Sequence, residues 1–141
     1  MPNEPSTVST RDRVLGAAFV LVAAITTFKL LGPAASLLSL GLFVSYLIWI
    51  AGQWRKDAAA ILPLYLVGIA VQCLHFGEEY LTGFQQQFPA LLGYQWSGGL
   101  FVWFNVAWLA VFALATVGVR KGISLAWLVV IFYALFGGIA N

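Results

Sequence analysis

The stretch Ile61-Leu62-Pro63-Leu64-Tyr65-Leu66-Val67-Gly68-Ile69-Ala70-Val71-Gln72-Cys73-Leu74-His75-Phe76-Gly77-Glu78-Glu79-Tyr80 decides the fold. Up to Val71 it carries no charge. Its end holds the single histidine of the chain and two of its five acidic residues. With Ala58-Ala59-Ala60 in front, the run has the length of a membrane-crossing helix, about 20 apolar residues at about 1.5 Å each. A histidine and two carboxylates at the end of such a run need a physical reason.

The rest of the chain has the same character. Of 141 residues, 62% are hydrophobic and 9% charged, against about 25% charged in a soluble domain. A chain this short lacks the interior volume to hide so much apolar surface from water. The composition therefore predicts an all-α polytopic membrane protein whose principal partner is the lipid bilayer, in the cell (inner) membrane. The net charge of +2 is small. No basic stripe with interleaved aromatics suggests nucleic acid. One cysteine, Cys73, excludes an internal disulfide and a Cys-x-x-Cys metal site, and it reads as a small core hydrophobe.

Five spans are predicted, at residues 14–31, 34–52, 58–80, 98–119 and 123–140, forming one helical domain over 14–141 behind a polar tail at 1–13. Arg11 and Arg13 before the first run resemble the start of a signal peptide, but the run exceeds a signal core and no small-residue cleavage site follows. Gly32-Pro33 makes a tight turn between the first two helices. Arg120-Lys121-Gly122 makes another between the last two. The one long connection, 81–97, is uncharged and rich in aromatics, Leu and Gln. It suits the headgroup boundary, either lying flat on the membrane or folding over the helix ends as a lid.

Basic residues alternate along the chain. Arg11 and Arg13, then Arg55 and Lys56, then Arg120 and Lys121 fall at every second helix end, with Lys29 the sole exception. The positive-inside rule then puts the N-terminus in the cytoplasm. At about 1.5 Å per residue, His75 lies about 25 Å along the third helix and Asn105 about 10 Å into the fourth from the opposite side. Lys29 and Asn141 fall at that outer level too.

His75 lies three residues before Glu78 and four before Glu79, so all three share a helix face, and Gln72 continues the stripe. Gly77 leaves room for a close helix or a ligand. Two chemistries are open to this set. Imidazole with carboxylates is a ligand set for one divalent metal ion, with His75, Glu78 and Glu79 as ligands. Alternatively, a carboxylate desolvated at the membrane edge handles protons. The plain reading is an interfacial helix end. The order and single copy of the motif argue against a di-iron carboxylate bundle. For Lys29 the readings are snorkelling to the surface or an ion pair with Glu78 or Glu79. For Asn105 they are an interhelical hydrogen bond or a ligand contact. Pigment or haem is the weaker use of His75, since bulky Val71 stands four residues before it and no Cys-x-x-Cys-His is present.

Leu74-His75-Phe76-Gly77-Glu78-Glu79, followed by Gly83-Phe84, resembles the signature of the HXXEE-motif family of prokaryotic integral membrane proteins, which has no assigned activity. That family also carries an Asn in the next helix, which Asn105 matches. It closes its last helix with Asn-x-x-x-His. Gly137-Gly138-Ile139-Ala140-Asn141 matches the start of that element, and its histidine would fall after Asn141. The resemblance covers the half of the chain from the third helix onward. It implies a functional site at His75, Glu78 and Glu79, with Asn105 and Asn141 completing the surroundings. From a different class, the chain reads as an accessory subunit of a respiratory or photosynthetic membrane complex, or as a homo-oligomer.

Overall fold

The computed structural model describes residues 8–52 and 58–139, and all regular structure among them is helical. Helix α1 spans Thr10–Leu31, α2 Ala35–Ala51, α3 Ala58–Thr82, α4 Phe84–Leu91, α5 Gly98–Arg120 and α6 Ser124–Ile139. Arg55, Lys56 and Asn141 lie outside the described residues, as do residues 1–7 of the predicted tail.

The first helix starts four residues earlier than predicted. Ser9 is its N-cap, its hydroxyl accepting from the Asp12 amide at 3.1 Å. This satisfies a helix-end donor that would otherwise be left over. Val8, assigned above to a polar tail, is buried, and its carbonyl accepts from Arg13 Nε at 3.0 Å. Ser9-Thr10-Arg11-Asp12 was the readable signal for this start.

Between α1 and α2 the chain reverses at Gly32, whose φ of 64° and ψ of −148° are accessible only to glycine. A short 3-10 turn, Gly32–Ala34, with Pro33 in its first turn, leads into α2. The two helices pack as an antiparallel hairpin. Trp49 of α2 lies against Gly16 of α1, and Tyr46 donates to the Arg13 carbonyl at 3.2 Å.

The last helix is the hub. α6 packs against α2 and α5, and also against α1 and α3. Its residues Ala126 to Val130 and Phe132 are buried. It is apolar all round, which suits a helix enclosed by others. Two tyrosine or tryptophan donors tie neighbours to backbone: Trp49 Nε1 to the Ser124 carbonyl at 2.9 Å, and Tyr65 Oη to the Phe112 carbonyl at 3.0 Å.

Outside, the bundle is oily. Leu64, Leu74 and Leu81 of α3, Leu37 of α2, Val22 of α1 and Leu114 of α5 are all exposed. Three helical stretches are long and apolar enough to cross a bilayer: Thr10–Ala51, which is the α1–α2 hairpin, Ala58–Thr82 and Gly98–Arg120. The apolar part of α6, Ser124–Gly137, is shorter. Cys73 is exposed on this oily face, not in the core. It follows Gln72 directly, and neighbours on a helix are turned about 100° apart, so burying one turned the other out.

Candidate functional site

The alternating helix directions bring the end of α3, the start of α5, the α1–α2 turn and the end of α6 to one end of the bundle. The opposite end carries Arg11, Arg13, Arg120 and Lys121. At the first end a cavity of about 460 Å³ opens among α2, α3, α5 and α6.

Gln72, His75, Phe76 and Glu79 line it from α3, the spacing of one helical stripe. From α5 come Phe101, Phe104, Asn105 and Trp108 on the same spacing, and from α6 Phe132, Tyr133 and Phe136. The aromatic string of α5 is spread over several sides of the helix, and Phe104 and Trp108 also border a groove between α1 and α5. The residues just named face the cavity, while Trp103 faces outward and is 74% exposed.

The long connection is a lid. Gly83, with φ 80°, turns the chain into α4. Gln85 is buried and donates from Nε2 to the Tyr80 carbonyl at 3.3 Å, pinning α4 on α3. Phe84 and Phe88 stack at 5.0 Å and line the cavity from above. Beyond α4, Trp96 Nε1 donates to the Leu31 carbonyl at 3.3 Å, and the Tyr94 ring lies over Gly32. The connection thus reaches from α3 across the hairpin turn. Of the two predicted courses, it takes the one over the helix ends. The signal available in sequence was Phe84-x-x-x-Phe88, an apolar pair one helical turn apart.

The polar groups have a definite order. His75 Nδ1 lies 3.6 Å from Glu78 Oε2, and His75 Nε2 lies 3.4 Å from Glu79 Oε1. Both distances are longer than a hydrogen bond. The Glu78 side chain is 65% exposed and that of Glu79 14% exposed. His75 therefore stands between a surface carboxylate and a half-buried one, with a different ring nitrogen toward each. Its Nε2 is buried and has no hydrogen-bond partner among the described residues. Thr82 donates from Oγ1 to the Glu78 and Glu79 carbonyls at 3.0 and 3.2 Å, fixing the last turn that carries them.

Asn105 is buried and donates from Nδ2 to the Phe101 carbonyl of its own helix at 3.0 Å. It bonds within α5, not between helices, and it lines the cavity. Gln72 is also buried, its Oε1 against α6 at Gly137, where a Cβ would come within 3.2 Å of it. Lys29 is exposed, is absent from the cavity wall and forms no ion pair with Glu78 or Glu79. At Gly77 the space for a Cβ is open, so no helix approaches it.

Among the described residues no three His, Cys, Asp or Glu side chains converge to hold a metal ion. The reason is visible in the ring. Glu78 and Glu79 face different nitrogens of one imidazole, so an ion beside Nε2 would meet one nitrogen and one carboxylate. Zinc sites use three or four protein ligands.

Comparison with protein-family models, with curated proteins and with solved structures finds no match to this chain. The resemblance to the HXXEE-motif family rests on the residues that carry it.

Proposed function

We propose that the chain is an integral membrane protein of five spans that handles protons at a His/Glu site near the outer face. The observation that carries this reading is the placement of His75 between exposed Glu78 and half-buried Glu79. An imidazole can accept a proton at one nitrogen and release one from the other. Glu78 then exchanges with water, His75 passes the proton inward, and Glu79 holds it within the cavity. Ionisable groups inside a membrane are costly and usually face a bundle interior or a wet cavity, as these do.

The helix directions and the alternation of basic residues support a reading of five spans. At 17 and 16 residues, α2 and α6 are the shortest of the five proposed spans, about 24–26 Å each. Such a length is met by modest thinning of the bilayer. The N-terminus then lies in the cytoplasm and the lid outside. A divalent metal at the same three residues is the competing use of the site. It needs Glu78 to swing round to the Glu79 side of the ring.

Infrared pH-difference spectra of the protein in lipid vesicles test the proton reading. A protonated-carboxyl band should vanish in Glu79→Gln and shift in His75→Asn. An identical band pattern in His75→Asn, or one tightly held metal ion per chain in the wild type, would overturn it.

A second reading, as a subunit of a larger membrane complex, draws on a groove between α1 and α5 lined by Phe19, Val22, Leu100 and exposed Trp103. It predicts that the native particle extracted in mild detergent is far larger than one chain, and a monodisperse monomer would sink it.

A further inference from the structure

We propose that the cavity takes a compact hydrophobic cation, with Glu79 as its counter-charge and the aromatic side chains as its walls. The inference uses the same carboxylate as the proton reading but does not depend on proton transfer.

The charge of the cavity wall has one sign. Glu78 and Glu79 line it, and no Lys or Arg does. Its other titratable side chains are His75 and Tyr133, neither of which carries a permanent positive charge. Lys29, the one basic residue at this end among those described, is exposed and points no charge into the space. A carboxylate withdrawn from water needs a positive partner or pays heavily in lost solvation. An anionic ligand would be repelled, and a neutral apolar one would supply no counter-charge to the ionised form of Glu79.

The walls fit the same ligand. Ring faces of Trp, Tyr and Phe attract cations through their quadrupoles, most strongly where water is excluded. Trp96, Trp108, Phe104 and Tyr133 line the space. Asn105, already committed through Nδ2 to the Phe101 carbonyl, has no hydrogen-bond partner for its Oδ1 among the described residues, so it presents an acceptor. A volume of about 460 Å³ lies in the range for drug-sized ligands. The lid above and Phe112 and Phe132 among the lining residues leave room for a compact molecule instead of a two-chain lipid.

The test compares two ions of nearly equal shape and opposite charge. The full chain in neutral detergent is titrated with tetraphenylphosphonium and, separately, with tetraphenylborate. Tryptophan fluorescence and calorimetry are read against empty micelles. The phosphonium should bind saturably and at least tenfold more tightly than the borate. Glu79→Gln should remove that preference, and Cys73→Ser, on the outer face, should keep it. Equal binding of the two ions to the wild type overturns the proposal and requires no variant to fold. So does a phosphonium preference that survives in folded Glu79→Gln. Loss of the His75-dependent infrared shift with the phosphonium preference intact would remove the proton relay alone, and the reverse pattern would remove the cation site alone.

Discussion

His75 Nε2 lies 3.4 Å from Glu79 Oε1, one helical turn further along α3, with the carboxylate largely withdrawn from solvent. The opposite nitrogen of the same ring faces Glu78 at 3.6 Å. One imidazole therefore separates the two carboxylates instead of joining them around a common point.

That separation predicts little metal. Elemental analysis of protein purified without chelator should find zinc, iron and manganese well below one ion per chain. Thermal unfolding in detergent should be unchanged by a strong chelator. Stoichiometric metal whose removal lowers the unfolding temperature would instead establish the metal reading.

Tyr65 is buried and bonds the Phe112 carbonyl across the α3–α5 contact, with its ring edge-on to Tyr133 at 5.2 Å. Tyr65→Phe keeps the ring and removes the donor. The cost should be about 0.5–1 kcal/mol, the usual net value of one such bond, read as a small drop in unfolding temperature. A loss as large as that of Tyr65→Ala would show that the hydroxyl does more than bond one carbonyl.

Gly32 takes a backbone conformation closed to other residues, under the Tyr94 ring. Gly32→Ala should destabilise by about 1–3 kcal/mol through backbone strain, with the Tyr94 ring displaced as well. The same variant should loosen the lid, which is anchored one residue away through Trp96 and the Leu31 carbonyl. Faster amide exchange at residues 84–97 would record this. Unchanged exchange there would separate the turn from the lid.

The proposed orientation can be read chemically. In a Cys73→Ser background, Gln86→Cys on the exposed side of α4 should react with a membrane-impermeant maleimide added to intact cells. Lys121→Cys, at the opposite end of the bundle, should react only after lysis. The reverse pattern would invert the topology.

Much of the fold was legible because apolar length and turn residues are local properties. The hairpin at Gly32-Pro33, the reversal at Arg120–Gly122 and the helical course of α3 and α5 follow from them. The start of α1 was misplaced because charge at Arg11 and Arg13 outweighed the cap at Ser9. Cys73 was misassigned because lipid and protein interior look alike in composition. An apolar residue fits either, so helix rotation about its axis is undetermined by hydrophobicity alone. Asn105 fell at the expected depth, yet its bond to Phe101 stays within its own helix.

Sequence by itself determined the helical, lipid-facing character of the chain and the placing of His75, Glu78 and Glu79 on one helix face. Both depend only on composition and on the 3.6-residue turn. Tertiary structure alone decided that α6 sits at the centre, that 84–97 closes over the helix ends and that aromatic residues from three helices and the lid line the same cavity as Glu79. It also decided that Lys29 stays outside. These outcomes depend on which helix faces meet, and that is settled by close packing at contacts such as Gly16 with Trp49 and Gly137 with Gln72, which no local pattern encodes.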